Sequence, residues 1–287
     1  MSSSAGIQRI ILGLSSAVVS FTLLFGQVTE TKPATGAAPK GSDPKALSFP
    51  EGPKAPTKTS VAEAARQPIK NLGAGIAEIG LVRIDNNLRT VSFPARLNIS
   101  SVSFPLEYVL VNHAGKTHES LLSTMVEPYH LQLGLLLLGA KPGGSPESVK
   151  AMMKGQVTNT VMSTGSSQLV RPGAEKLPGE RIEIEVSWHT PAGAVRKRAE
   201  ELIQNTAVKS SAKSTDWVFN GSRIANGMFY AQAEGSMISL VTDANAVINY
   251  EGAGHDNDKA WIVRTNAVPP SEVPILVTIR VPKKGRN

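Results

Sequence analysis

The side chains best suited to chemistry stand together in one short block, Lys116-Thr-His-Glu-Ser120. Histidine is the usual acid–base residue of proteins, and a serine hydroxyl beside it can act as a nucleophile. If the block lies on a strand, alternation puts His118 and Ser120 on one face and Glu119 on the other. His118 could then activate Ser120, as in a serine-based hydrolase.

A metal site is the second chemistry that this block offers. His118, Glu119 and His130 carry the nitrogen and oxygen atoms that bind zinc, and they meet if the strand and the following segment abut. Glu107 lies on the preceding predicted strand and could pair its carboxylate with His118. The competing interpretation is that these side chains bond backbone groups at the end of a hairpin, because the chain has no H-E-x-x-H motif.

A second polar stretch, Gly252-Ala-Gly-His-Asp-Asn-Asp258, follows Asp243. Its carboxylate and amide oxygens are hard ligands of the kind that calcium prefers, but their spacing departs from that of an EF-hand loop. Asp, Asn and Gly also dominate turns. We therefore predict a solvated turn here, with a calcium site as the alternative.

The chain contains no cysteine. This excludes disulfides, thiolate zinc sites, cysteine nucleophiles and the usual iron–sulfur clusters. No nucleophile elbow of the G-x-S-x-G type and no phosphate-binding G-x-x-x-x-G-K-[ST] loop occurs either. We therefore predict no cofactor, apart from the zinc and calcium alternatives just described.

Two hairpins are predicted to position the polar block. Residues 77–84 and 89–99 alternate apolar and polar side chains around the turn sequence Asp85-Asn-Asn. Pro94 interrupts the second of these strands and indicates an edge or a bulge. Residues 106–111 and 117–123 form the second predicted hairpin, which carries the block on its outer strand.

Residues 128–139 are apolar nearly all round, begin with proline and end with glycine, and therefore predict a buried helix. The polar residues 141–179 predict a surface excursion with a helix that Ser145 caps and Pro146 begins. A charged helix is predicted near 194–204. Further short strands are predicted at residues 181–188, 217–219, 222–224, 228–231, 236–241, 261–263 and 273–281. Together these elements predict a β-rich α+β domain over residues 75–281, with a mostly antiparallel, sandwich- or barrel-like sheet, one buried helix and one or two peripheral helices.

The three tryptophans, Trp188, Trp217 and Trp261, stand next to aliphatic strand residues. This context predicts that they anchor the core. A platform for stacking carbohydrate is the alternative, and it requires the three indoles to be exposed on one face.

The N-terminal part of the chain predicts that the protein is targeted to a membrane. Residues 10–26 form an uncharged run of apolar and small side chains, so residues 1–26 are expected to be a signal peptide or an N-terminal membrane anchor. Residues 27–74 are rich in Pro, Ala and Lys and predict a disordered spacer. We therefore expect an exported protein, either periplasmic or secreted, or anchored to the inner membrane by an uncleaved leader.

The formal net charge of +7 belongs to the ends of the chain. The spacer and the last residues, including the basic tail 282–287, hold the excess of Lys and Arg, which leaves the predicted domain nearly neutral. Nucleic-acid binding needs a concentrated basic face. We therefore predict no nucleic-acid partner.

Several short blocks occur in the order found in one family: Gly80-Leu-Val-Arg-Ile-Asp85, Leu106-Glu-Tyr108, Gly115-Lys-Thr-His-Glu-Ser120, Leu137-Leu-Gly-Ala-Lys-Pro142, Val186-Ser-Trp188, Trp217-Val-Phe-Asn-Gly-Ser222, Gly235-Ser-Met-Ile238 and Thr242-Asp243. In this respect the chain resembles the YdjY domain of exported bacterial proteins. The resemblance implies an envelope domain and no established activity.

The favoured hypothesis is an exported, envelope-associated domain that binds or scaffolds an envelope protein or a small ligand without catalysis. The alternative hypothesis is a metal-dependent or serine-based hydrolase centred on the Lys116–Ser120 block. The two hypotheses differ in whether His118, Glu119, Ser120 and His130 converge.

Overall fold

The computed structural model describes residues 58–143, 177–206, 216–225 and 228–283. Within them the helices are α1 (Val61–Ala64), α2 (Pro128–Leu137) and α3 (Tyr230–Glu234), with 3₁₀ segments at Thr117–Glu119 and Ala199–Leu202. None of the helices in this part of the chain has the length and apolar character needed to cross a bilayer. The predicted helix at Ser145 and most of the predicted excursion lie outside the described residues.

One sheet is antiparallel throughout. In spatial order it contains β1 (Lys70–Gly73), β2 (Ile76–Ile79), β3 (Val82–Asp85), β4 (Thr90–Leu97), β17 (Ile275–Arg280), β8 (Glu183–Thr190) and β9 (Gly193–Arg198). Alternate side chains of β8 are buried, among them Ile184 and Val186. The alternation predicted from sequence for this strand is confirmed.

The second sheet is mixed. It continues from the end of β4 through β6 (Ser120–Thr124), β5 (Tyr108–Asn112), β14 (Ser236–Ser239), β15 (Ile248–Tyr250), β11 (Trp217–Phe219) and β7 (Glu180–Arg181). The β5–β6 and β14–β15 pairs are parallel, and the others are antiparallel. Two small pairs complete the strands, β10 (Ile203–Asn205) with β16 (Trp261–Val263) and β12 (Ile224–Ala225) with β13 (Met228–Phe229).

Strand β4 belongs to both sheets. One edge pairs with β17 from Thr90 to Ala95. The other edge is divided, because residues 90–92 pair with β3 whereas Arg96 and Leu97 pair with β6. The described strands therefore form a branched, β-rich and mostly antiparallel assembly, and they do not close into the barrel that was one of the sequence-based alternatives.

Helix α2 packs on β3 and β4. Pro128 is its first residue, and Gly139 follows its last turn with a φ of +78°. Proline favours the first position of a helix, and glycine favours the left-handed position that follows one. A Cβ on Gly134 would lie only 3.4 Å from Val82 Cγ1 and from Val91 Cγ2. Glycine at this position therefore lets the helix backbone approach the sheet closely.

The tryptophans are core residues, as predicted. Trp188, Trp217 and Trp261 are all buried. The Tyr250 ring lies between two of them, with ring centroids 5.2 Å from Trp217 and 5.3 Å from Trp261. Their burial excludes a platform of three exposed indoles.

The folded body begins earlier than the boundary predicted at residue 75. Ser60 caps α1, its Oγ accepting a hydrogen bond from the Glu63 amide at 3.2 Å. Ala64 is buried in the core, and β1 pairs with β2. Residues 58–74 were wrongly assigned to the spacer, because composition alone does not register pairing with a later strand; residues 27–57 lie outside the described part of the chain.

Two further elements differ from the sequence-based prediction. The strand predicted at 77–84 is divided into β2 and β3 by a turn at Gly80, which has a φ of +55° that favours glycine. The charged helix predicted near 194–204 is β9 followed by a 3₁₀ segment. Antiparallel pairing of β9 with β8 outweighs the helical propensity of this charged sequence.

The second predicted hairpin is also wrong. Strands β5 and β6 run parallel, with Tyr108 opposite Ser120 and Asn112 opposite Thr124, so residues 113–119 must return along the length of the strand. This connection passes over the start of β14. There a Cβ on Gly235 would lie 2.7 Å from Gly115 Cα, so the two glycines make the close crossing possible.

The close approach of Gly115 and Gly235 predicts that alanine destabilises the fold more at Gly235 than at Gly139. Gly235 and Gly139 have nearly the same φ, +81° and +78°, but a Cβ on Gly139 would meet nothing within 4 Å. Gly235→Ala should therefore lower the free energy of unfolding by about 1–3 kcal/mol more than Gly139→Ala, because only Gly235→Ala also drives backbones apart. Urea unfolding measures both variants, and equal losses would contradict the close crossing.

Candidate functional site

The structure separates the two residues proposed for serine chemistry. The segment that holds His118 is a 3₁₀ turn rather than a strand, and Ser120 begins β6. The His118 side chain is 79% exposed, and its Nε2 lies 3.8 Å from Glu119 Oε2. Ser120 is fully buried and its Oγ donates to the Leu122 carbonyl at 2.8 Å. The Ser120 hydroxyl is therefore engaged with the backbone and is not hydrogen-bonded to His118.

His130 lies in a different environment. It is buried in α2, where its Nε2 donates to the Ala64 carbonyl at 2.8 Å. This bond ties α1 to α2. In residues 58–143, 177–206, 216–225 and 228–283, no three His, Asp or Glu side chains converge as a metal would require, so His118, Glu119 and His130 form no such cluster.

The block instead contributes to a chain of hydrogen bonds at the start of β5. Lys116 Nζ donates to the Tyr108 hydroxyl at 3.0 Å, and that hydroxyl donates to Asp243 Oδ2 at 2.9 Å. The other oxygen of Asp243 accepts from the Asn245 amide at 2.8 Å. Lys116 also lies 4.0 Å from Glu119. These bonds connect the 113–119 connection, β5 and the segment after β14.

The surroundings of Tyr108 keep its hydroxyl protonated. Burial, reinforced by the neighbouring Asp243 carboxylate, raises the pKa of Tyr108 well above its ordinary value of 10.0. The tyrosine therefore remains a protonated donor at neutral pH and does not serve as a base. Its role is to bridge the ammonium group of Lys116 and the carboxylate of Asp243.

The stretch 252–258 forms a turn, as predicted. His255 closes it by accepting the Thr242 amide at its carbonyl at 2.7 Å, and its Nδ1 lies 2.7 Å from Thr242 Oγ1. Asn257 Oδ1 accepts the Lys259 amide at 3.0 Å. These two oxygens therefore bond backbone amides that flank the turn, those of Thr242 and Lys259.

A feature that sequence reasoning missed lies beside the divided edge of β4. Strands β3 and β6 pair with separate stretches of that edge, residues 90–92 and 96–97, and a pocket of about 190 Å³ lies beside the interval between them; we call it the notch pocket. Its lining residues are Leu81, Pro94, Ala95, Arg96, His113, Ser123, Thr124 and Met125. The break at Pro94 was the available sequence signal. It indicated an irregular strand but did not reveal which strands would meet there.

Most polar groups of the notch pocket are already bonded. Thr124 Oγ1 donates to the Pro94 carbonyl at 2.6 Å, and Arg96 Nε donates to Ser123 Oγ at 3.3 Å. Two groups are exceptions among the described residues: the exposed terminal nitrogens of Arg96, and His113 Nδ1, which is buried and has no hydrogen-bond partner.

Neighbouring bonds hold His113 in place. The side chain of Asn112 donates to the Val126 carbonyl at 2.9 Å and accepts the Ala114 amide at 3.0 Å. The His113 amide donates to the Thr124 carbonyl at 2.8 Å. The ends of β5 and β6 are therefore clamped together around the pocket.

Glu107 makes the stability of the fold depend on pH. Burial, followed by the nearby Glu119 carboxylate, raises the pKa of Glu107 above its ordinary value of 4.5; Asp258 and Asp243 add to this shift, and Lys116 opposes it. A carboxyl whose pKa is raised by folding stabilises the fold below its unfolded pKa, and that stability is lost as the pH rises through the folded pKa.

Glu107→Gln should therefore raise the free energy of unfolding at pH 7, and the gain should shrink as the pH falls toward 4.5. Urea unfolding across this range measures the difference. Glu272→Gln, at an exposed position, is the matched control and should show no such trend. A destabilised Glu107→Gln at pH 7 would show instead that the ionised carboxylate supports the fold.

The arrangement can be compared with known proteins. Residues 82–280 match the family model of the YdjY domain. Comparison with curated proteins and with solved structures gives no match. The matched region contains the Lys116–Tyr108–Asp243 chain and every residue that lines the notch pocket except Leu81. Because the match covers well over half of the chain, the chain belongs to the YdjY-domain family.

Proposed function

We propose that this chain is an exported, envelope-associated domain that binds or scaffolds a partner and does not catalyse a reaction. The observation that carries the proposal is the use of the reactive side chains within the fold. Ser120 bonds the backbone of its own strand, and His130 bonds the backbone of α1.

The remaining polar residues support the same proposal. Tyr108 bridges Lys116 and Asp243, and its bond to Asp243 joins segments that are distant in sequence. His118 is exposed, and the only charged group near it is Glu119 at 3.8 Å, among the described residues. A serine-based or zinc-dependent hydrolase centred on Lys116–Ser120 would need these side chains to converge on one point. No observation favours that alternative.

Export is proposed from the sequence. The uncharged run 10–26 has the length of a long signal-peptide core or a short membrane anchor. The Pro-rich residues that follow have too little apolar surface to build a core. Because the described fold extends back to residue 58, the proposed spacer is confined to residues 27–57.

A reporter that is active only outside the cytoplasm tests this proposal. We expect the full-length chain, fused at its C terminus to bacterial alkaline phosphatase, to show phosphatase activity in a bacterial host. Each arginine placed in the apolar run costs about 2.5–3.5 kcal/mol of membrane insertion. Leu14→Arg combined with Val19→Arg should therefore reduce the activity at least about tenfold.

The matched control is Leu14→Val combined with Val19→Leu, which keeps the run apolar and should retain the activity. An inactive wild-type fusion that accumulates in the cytosol with residues 1–26 intact would overturn the proposal of export.

A further inference from the structure

We propose that the notch pocket binds a small aliphatic carboxylate. This inference rests on the proposed function, because it assigns a ligand class to a domain that binds and does not catalyse. It concerns residues that lie apart from the Lys116–Tyr108–Asp243 chain.

The fold builds the pocket as a concave apolar surface. Pro94 and Ala95 belong to the stretch of β4 between its pairings with β3 and β6. Leu81, in the turn before β3, and Met125, after β6, contribute large apolar side chains that remain 51% and 58% exposed. A ligand that covers these side chains gains roughly 25 cal/mol for each Å² of apolar surface removed from water.

The volume of the pocket limits the ligand. About 190 Å³ is smaller than the roughly 300–1,000 Å³ of pockets that hold drug-sized molecules. A branched aliphatic group of the size of a leucine side chain suits this space, whereas a long acyl chain does not.

The polar groups of the pocket select an anion. Arg96 is exposed, and its bond to Ser123 through Nε leaves its terminal nitrogens without a hydrogen bond or ion pair to any described residue. A guanidinium group in that condition can bind a carboxylate through two parallel hydrogen bonds. No acidic side chain is among the described residues that line the pocket, so nothing there competes for Arg96.

His113 completes the wall of the pocket. Its Nδ1 is buried without a partner among the described residues, so a ligand oxygen reaches it only if the ring moves, and Arg96 is the group that selects the anion. An aliphatic group next to a carboxylate thus satisfies the apolar surface and Arg96 together.

Two kinds of ligand present these groups: a free aliphatic carboxylate and the C-terminal residue of a polypeptide. Both present an apolar side chain one carbon from a carboxylate. The probe for the first is N-acetyl-leucine, and the probe for the second is an acetylated tetrapeptide, Ac-Gly-Gly-Ser-Leu, with a free C terminus.

The direct test is NMR of the purified full-length chain carrying ¹³C-methyl methionine. Met125 lines the pocket, and Met237, which is fully buried in the core, serves as the internal reference. Met125→Leu assigns the pocket signal. We expect N-acetyl-leucine to shift the Met125 methyl resonance in a saturable manner while the Met237 resonance stays in place.

Three ligand controls follow from the chemistry. N-acetyl-leucinamide lacks the carboxylate, N-acetylglycine lacks the aliphatic group, and both should bind at least about fivefold more weakly than N-acetyl-leucine. N-acetyl-D-leucine tests chirality at the same charge. If N-acetyl-leucinamide binds as tightly as N-acetyl-leucine, the proposed role of the carboxylate is wrong. If N-acetylglycine binds as tightly as N-acetyl-leucine, the proposed role of the apolar contact is wrong.

Protein variants test the location. Arg96→Gln should weaken binding of N-acetyl-leucine about fivefold, whereas Arg196→Gln, on the exposed strand β9, should leave it unchanged. Ala95→Leu, which fills the pocket, should abolish binding while the Met237 resonance reports an intact core. Unchanged binding in both Arg96→Gln and Ala95→Leu, or no shift of Met125 with any probe, would overturn the proposed site.

The tetrapeptide distinguishes the two sources. Binding at least as tight as that of N-acetyl-leucine identifies a polypeptide C terminus, and loss of binding identifies a small free carboxylate; either result supports the shared chemistry. The measurement uses purified protein and is independent of the export reporter. An exported chain whose Met125 does not respond would overturn the ligand assignment and leave the proposed export standing.

Discussion

Strand β4 is the constraint on which the arrangement of this domain depends. One of its edges pairs with β17 from Thr90 to Ala95, and its other edge is shared by β3 and β6. The two partners therefore occupy separate stretches of that edge, residues 90–92 and 96–97, and the sheet branches. Helix α2 packs through Gly134 on Val82 and Val91, in the stretch that pairs with β3, and the notch pocket lies at Pro94, Ala95 and Arg96. The division of this edge thus separates the contact with the core helix from the notch pocket.

The parallel pairing of β5 and β6 explains the chemistry of the polar block. A hairpin would have displayed Lys116, His118 and Ser120 along a strand. The parallel pair instead requires a return connection, and the block becomes part of that connection. Lys116 then meets Tyr108 at the start of β5, whereas Ser120 turns into the core. In this account the block holds the crossing in place.

Local patterns predicted those parts of the fold that local interactions determine. The turn at Asp85 forms because its carboxylate accepts the amides of Asn87 and Leu88, each at 2.9 Å. The alternation around Ile184 and the burial of the three tryptophans follow from the same short-range patterns. The family resemblance, which rested on blocks such as Gly115-Lys-Thr-His-Glu-Ser120, is also confirmed.

The parts that sequence reasoning missed depend on partners far along the chain. The parallel pairing of residues 120–124 with 108–112 places the return connection against the start of β14, where Gly115 and Gly235 approach closely. Strand β1 pairs with β2 although its composition resembles that of the spacer. The notch pocket requires knowledge that β3 and β6 share one edge. No spacing within a single segment encodes these relations.

The central claim is that the Lys116–Tyr108–Asp243 chain stabilises the fold, and a double-mutant cycle on the Tyr108–Asp243 hydrogen bond tests it most directly. Urea unfolding would measure Tyr108→Phe, Asp243→Ala and the double variant. We predict that each single change lowers the free energy of unfolding by about 1 kcal/mol or more and that the two changes are coupled, because either change removes the 2.9 Å bond. Single variants as stable as the wild type, with no coupling, would contradict the account.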